Sequence, residues 1–192
     1  MKFSIDARGI NLYKGSGIGT YIENLLRELL NIDTKNNYSI FWTGENYENY
    51  KKENSKIILT SKKHGTFYEN YYYPNYIEEN NIDMHHIPQN GIGLNELYTL
   101  PIVVTIHDLI PYILPETVGR GYLQRFLRDM PLIVNNAKII LTVSEYSKRD
   151  IIKFFPFVNE EKIFVTPLAA NKSYKPLNKS TCIEYIKNKY SI

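Results

Sequence analysis

Apolar and polar positions alternate at the start of the chain, where Phe3, Ile5 and Ala7 mark one face of an expected strand, and the period then changes. From Ile18 onward Tyr21, Ile22, Leu25, Leu26, Leu29 and Leu30 recur at i, i+3, i+4 and i+7, the spacing of a helix that buries one side. Short apolar or alternating runs predict further strands at Tyr38 to Thr43, Lys56 to Thr60, Asn81 to Ile87, Ile102 to Ile106, Lys138 to Val143 and Ile163 to Val165. Helical periodicity returns at Phe67 to Ile77, where Pro74 must kink or end the helix. It returns again at Tyr122 to Ala137, where Pro131 is expected to bend it, and at Tyr146 to Phe155. Ser180 to Tyr190 is weakly helical. Strands alternating with helices imply an α/β fold, a doubly wound, mostly parallel Rossmann-like sheet of about seven strands with right-handed crossovers.

The junction between the first strand and the first helix is Lys14-Gly15-Ser16-Gly17-Ile18-Gly19-Thr20-Tyr21. Glycines let the main chain approach a ligand closely, and the unpaired amides at a helix start carry partial positive charge, so a phosphate or carboxylate can rest there. Thr20 and Glu23 have capping-box spacing, which offers a later helix start with Gly17 to Gly19 as a lead-in turn. The plain alternative is a tight turn with no ligand. The glycines at 15, 17 and 19 match neither the P-loop nor the Gly-x-Gly-x-x-Gly dinucleotide pattern.

Composition narrows the field. The chain has 192 residues and 43% hydrophobic content, as expected of a soluble globular domain. With 23 basic against 20 acidic residues the net charge is +3, too small for a dominating nucleic-acid field, although a local basic patch is compatible with it. One cysteine, Cys182, excludes an internal disulfide framework and fits a reducing compartment. The N-terminus lacks a signal-peptide core and the apolar runs are strand-sized, so a cytoplasmic location is expected.

In an open α/β sheet, ligands bind beyond the carboxyl ends of the strands. That rule gathers Arg8 and the glycine turn, Pro88 to Gly93, His107-Asp108 and Ser144-Glu145 on one edge. His107 directly follows the almost wholly apolar strand Ile102 to Ile106, which suits a buried central position. Its imidazole can serve a phosphate or sugar hydroxyl, or it can lock the next loop through the backbone. Asp108 reads first as a turn carboxylate and Ser144 as a helix cap, with Ser147 and Asp150 at capping-box spacing behind it. His85 and His86, adjacent on a strand, point to opposite faces and do not suit a shared metal. Arg120, Arg125 and Arg128 beside Tyr122, Phe126 and Met130 give one helix a basic and aromatic character, which suits either solvent or an anionic lipid surface.

Taken together, these residues resemble the N-terminal half of a family 4, GT-B-type glycosyltransferase. The resembling segments are Asp6-Ala7-Arg8 with Ser16 to Tyr21, Val103 to Leu109, Thr142 to Asp150, and Val165 to Ala169, in family order. The resemblance implies a retaining transferase of two Rossmann-like domains, with the nucleotide-sugar donor held mainly by the C-terminal one and the acceptor by the N-terminal one. It places Gly17, with Ser16 and Gly19, at the donor diphosphate, His107 at the reacting centre as the catalytic residue, and Arg8, Asn90 and Asp108 on the acceptor side. Many relatives carry two adjacent glycines where Ser16-Gly17 stands. No metal and no cofactor are expected, the nucleotide sugar being a substrate. The implied acceptor is a glycan or lipid-linked molecule of bacterial cell-surface polysaccharide synthesis, with peripheral contact at the inner face of the membrane conceivable. Residues 1–176 are expected to form the acceptor-side domain and 177–192 the start of an interdomain linker or helix, the second domain being absent, so that this chain alone is inactive. Two other classes fit the pattern less fully. One is a non-catalytic nucleotide- or anion-binding module, and the other is a Rossmann oxidoreductase, disfavoured by the glycine spacing.

Overall fold

The computed structural model describes residues 1–171 and 174–192. Seven strands form one sheet, every neighbouring pair parallel, in the order β3-β2-β1-β4-β5-β6-β7. They are β1 Lys2–Asp6, β2 Asn37–Trp42, β3 Ser55–Leu59, β4 Met84–Ile87, β5 Ile102–Ile106, β6 Ile139–Thr142 and β7 Ile163–Val165. The order reverses between β1 and β4, which opens a crevice between the loops that leave their carboxyl ends. The principal helices are α1 Gly17–Ile32, α2 Tyr73–Glu79, α3 Arg120–Asn136, α4 Glu145–Phe154 and α5 Lys179–Tyr190.

Each half of the sheet has its own core. Ile22, Leu26 and Leu30 of α1 pack on Ile5, Ala7, Ile40 and Trp42. Phe126, Met130, Ile133 and Val134 of α3, with Ile151 of α4, pack on Ile87, Val104, Ile106 and Ile140. A third cluster seats Tyr73 and Ile77 on Phe41 and Ile58, with the Phe41 and Tyr73 rings stacked at 4.0 Å. All five residues of β5 are buried, as its apolar run predicts.

One strand boundary differs from the expectation, and two prolines act on their helices in ways the sequence leaves open. The fourth strand begins at Met84, not Asn81, because the preceding helix ends in a left-handed turn. Asn81 has φ 51°, its amide bonds the Glu78 carbonyl, and the Ile82 amide reaches back to Ile77. These are the two hydrogen bonds of a Schellman ending, and the buried Ile77 and Ile82 supply its apolar contact. Ahead of Pro74 the chain widens into a π-turn, Tyr68–Tyr72, in which the Tyr73 amide bonds the Tyr68 carbonyl. The proline has no N–H to give and its ring crowds the carbonyl one turn back, so the turn opens. Finally, α3 runs through Pro131 as one helix, and the Leu127 carbonyl that the proline cannot serve accepts from the Tyr112 hydroxyl at 3.4 Å.

Candidate functional site

Helix α1 starts at Gly17, capped by Ser16 rather than by the Thr20–Glu23 box. The Ser16 hydroxyl donates to the Tyr13 carbonyl at 2.7 Å and accepts from the Gly19 amide at 3.2 Å, while Thr20 turns its hydroxyl back to the Ser16 carbonyl. A Cβ on Gly19 would stand 2.4 Å from the Tyr13 carbonyl oxygen, whereas one on Gly17 would meet nothing within 4 Å. Gly19 is therefore a packing requirement with its amide already engaged, and Ser16 has its hydroxyl engaged twice. The amides of Gly17 and Ile18 remain without partners among the described residues, and they head the helix. Ile18 had no signal of its own in the sequence, because which amides stay free depends on the cap.

His107 follows β5 and is 9% exposed. Its amide donates to the Asn90 side-chain oxygen at 2.9 Å, and its carbonyl accepts from the Ser147 hydroxyl at 2.9 Å. Nε2 lies 2.9 Å from the Pro88 carbonyl, and since a carbonyl can only accept, Nε2 carries the proton and Nδ1 keeps the lone pair. Burial is the main influence on the ring and lowers its pKa from 6.5, against smaller opposing effects of the Pro88 bond and Asp108, so the neutral form is favoured. Tyr21, one turn into α1, packs edge-on against the imidazole with centroids 4.8 Å apart. The helix start and the histidine are thus fixed relative to each other.

Asn90 has φ 54°, is 2% exposed, and also reaches the Tyr122 hydroxyl at 3.4 Å. It is a strut between the β4 loop, His107 and α3. Gly91 beside it has φ 69°, and a Cβ there would approach Ile133 to 2.5 Å, so the loop needs glycine to lie on the core. Asp108 accepts from the Ile110 amide at 3.0 Å and ties the turn Ile110–Ile113.

Arg8 is not a free side chain at the crevice. Its Nε and Nη2 donate to the two oxygens of Asp6 at 2.8 and 2.7 Å, and Nη2 also meets Glu69 at 3.0 Å. Gln89 donates to the same Asp6 carboxylate, and the guanidinium lies 5.0 Å from the centre of the Tyr73 ring. Burial pushes the Asp6 pKa up, but the Arg8 charge and hydrogen bonds outweigh it, and the carboxyl sits below its ordinary 3.8. Burial likewise opposes the Arg8 charge, and Asp6 more than offsets it. Glu69, on the π-turn, carries the chain of charges outward to Arg125 at 3.2 Å.

Two other groups resolve simply. Ser144 caps α4 by accepting from the Ser147 amide at 3.0 Å, so the Ser147–Asp150 spacing is not used as a cap. His85 pairs with Ser4 and His86 with Thr105, on opposite faces of β4. Among the described residues, no group of three or more His, Cys, Asp or Glu side chains converges as a metal site, and no helix is long and apolar enough to cross a membrane. Beside Gly17 and Tyr21, between α1 and the segment 166–171, runs a groove of about 600 Å³ lined chiefly by apolar atoms.

A seven-stranded, all-parallel Rossmann-like domain with an open helix start at its switch point is the kind of unit that forms one half of a GT-B glycosyltransferase. The chain belongs to glycosyltransferase family 4, whose model matches residues 15–173. A stretch of 90 residues is 29% identical to O-antigen chain mannosyltransferase B of Escherichia coli, covering 47% of this chain and 23% of that protein. The fold is similar to that of Anabaena HepE in complex with UDP and glucose, at TM-score 0.57 and 12% identity over 98% of this chain. It is also similar to the apo form of the lipopolysaccharide outer core galactosyltransferase WaaB, at 0.55 and 12% over 90%. The chain spans 50% and 47% of those two structures, about half their length.

Proposed function

We propose that this domain forms the acceptor-side wall of a retaining glycosyltransferase that moves a sugar, of hexosyl type, from a nucleotide-sugar donor to a glycan or lipid-linked acceptor in bacterial cell-surface polysaccharide synthesis. The observation that supports it most is the edge contact of Tyr21 on His107, which sets the free amides of Gly17 and Ile18 and the imidazole on one wall. In this reading the two amides and the α1 dipole receive the leaving diphosphate, and the His107 Nδ1 lone pair accepts from a hydroxyl at the reacting centre. Ser16 and Gly19 shape that wall. Arg8 and Asn90 hold the acceptor side through Asp6, Glu69 and His107, and Asp108 fixes the next turn. The charge of the diphosphate is met by main-chain dipoles and basic groups without a metal or cofactor, so added chelator should leave transfer unchanged.

The donor's main grip is assigned to a second α/β domain, a reading supported by the chain's spanning about half the length of the two similar structures. A lipid-linked acceptor would bring the protein to the inner face of a membrane. The test is to join this chain in frame to the donor-binding half of a family 4 enzyme of known donor. The fusion should transfer sugar with retained anomeric configuration by proton NMR, and His107→Ala should abolish transfer. The chain by itself should bind sugar nucleotides weakly and turn over none. Transfer by the unfused chain would overturn the half-site assignment. A fusion that binds donor yet glycosylates no acceptor would favour a non-catalytic anion-binding module.

A further inference from the structure

The basic helix α3 suits either solvent or an anionic lipid surface in the sequence, but its charge is largely paired. Arg125 is paired with Glu69 and Asp129, and Arg128 lies 2.6 Å from Asp129. A different cluster keeps its charge. Lys14 from the turn before α1, and Lys62 and Lys63 after β3, line one open cavity of about 570 Å³ at the carboxyl edge of the sheet. All three are exposed, and none has an ion-pair partner among the described residues. Glu45 is the one acidic side chain among the residues lining that cavity.

Large apolar side chains are exposed at this cavity and in the turn that directly follows Lys62 and Lys63. Leu12 lines the cavity and is 37% exposed. Phe67, in the helical turn Gly65–Phe67 that follows the two lysines, is 54% exposed and stacks on Tyr71, itself 61% exposed. Lysines without counter-charges around outward aromatic and aliphatic side chains suit the boundary of an anionic bilayer, where ammonium groups meet headgroup phosphates and rings sit at the acyl boundary. A soluble anion would use the lysines and leave Leu12, Phe67 and Tyr71 in water.

We propose that Lys14, Lys62 and Lys63, with Leu12, Phe67 and Tyr71, form a docking surface for an anionic phospholipid membrane. The surface lies on the same sheet edge as the α1 start and His107, so docking there would present the crevice to a lipid-linked acceptor. The proposal deepens the lipid-linked reading of the function, yet vesicle binding and sugar transfer are measured separately, so either can fail without the other.

The test is flotation of the full chain with vesicles of equimolar phosphatidylglycerol and phosphatidylcholine, and with phosphatidylcholine alone. Binding is expected to the anionic vesicles only, and to weaken with salt. At about 1 kcal/mol per lysine near an anionic surface, Lys14→Glu/Lys62→Glu/Lys63→Glu should lower partitioning by roughly 100-fold or more. Phe67→Ser, which leaves charge unchanged, should lower it by roughly 10-fold, the loss of one buried aromatic side chain. The control Lys35→Glu/Lys51→Glu/Lys52→Glu makes the same change in net charge at the opposite edge of the sheet and should bind as the parent does. Thermal melts establish that each variant is folded. Failure of the parent chain to float with anionic vesicles would overturn the proposal, as would equal losses in the two charge-reversed triples. An unaltered affinity in Phe67→Ser would overturn the burial of the apolar side chains and leave attraction of the lysines to headgroups alone.

Discussion

Replacing Arg8 with methionine tests the claim that this arginine is a strut and not a free substrate contact. Methionine retains much of the apolar stem, so the change removes chiefly the guanidinium. Asp6, 2% exposed, then loses the donors at 2.8 and 2.7 Å and keeps only Gln89 and one backbone amide, while Glu69 keeps Arg125. Breaking a buried pair from one side costs about 3–5 kcal/mol, and the surviving donors place Arg8→Met near the lower end. Asp6→Asn should cost less, about 1–2 kcal/mol, because Arg8 retains Glu69 and a neutral amide oxygen can still accept. The pH dependence gives the sharper reading. In the parent protein the Asp6 pKa lies below 3.8, so its stabilising effect is present above that value and is lost only as pH falls through the lowered one. Without the guanidinium, burial is opposed only by weaker partners such as Gln89 and the backbone amide, so the Asp6 pKa should rise and the folded variant take up a proton sooner on acidification. The cost of Arg8→Met should therefore shrink between neutral pH and about pH 4. Urea unfolding followed through Trp42, the only tryptophan and 1% exposed, measures it. A cost below about 1 kcal/mol at neutral pH, or one equal at both pH values, would refute the buried-strut account.

Burial holds His85 down to about 4 and His86 to about 3 from an ordinary 6.5, so the unfolded chain takes up protons first. Stability should be full above pH 6.5 and fall as pH drops toward 4, by roughly 1.4 kcal/mol per pH unit for each histidine, and His86→Gln should flatten that slope in urea midpoints. Gly19→Ala forces a carbon against the Tyr13 carbonyl and should lower the melting temperature markedly, whereas Gly17→Ala fills open space in a helix and should raise stability by up to about 1 kcal/mol. In the fusion enzyme the same Gly17→Ala should raise the KM for donor. Pro131→Ala restores an amide to the Leu127 carbonyl and should stabilise α3 by about 1–3 kcal/mol, read as a higher melting temperature.

The strands were readable because each is a local pattern. Ile102 to Ile106 needs no partner to declare itself a covered parallel strand, and Ser144 sits where a strand run gives way to a helical one. The start of β4 was readable in principle, since the Asn80-Asn81 pair after a helical stretch is a left-handed ending signal, but the apolar count drew Ile82 into the strand. The sequence offers the Thr20–Glu23 box as a cap, but Ser16 is the residue that caps α1, held by the Tyr13 carbonyl that folds back onto its hydroxyl. The charge network was invisible for a stronger reason. Arg8 and Glu69 are 61 residues apart and Arg125 and Glu69 are 56 apart, and only the crossing at the β1/β4 switch brings them together. The same crossing pairs Arg125 with Glu69, a neutralisation that charge read along α3 alone does not reveal.

His107 shows where local reading stops at a candidate site. A residue that follows a fully buried parallel strand can emerge only at the carboxyl edge, so its place near the crevice follows from the sequence. Its chemistry does not. The Pro88 carbonyl, 19 residues upstream and on the neighbouring strand's exit, holds the proton on Nε2, and Asn90 fixes the backbone from the same loop. Only that pairing leaves Nδ1 as an acceptor, so a reversal of the β4 loop would turn the imidazole from acceptor to donor without moving it. A His107→Asn substitution, which offers both a carbonyl and an amide at nearly the Nδ1 position, should therefore retain more transfer in the fusion enzyme than His107→Ala. Equal loss in the two would show that the lone pair at that position is not what the site uses.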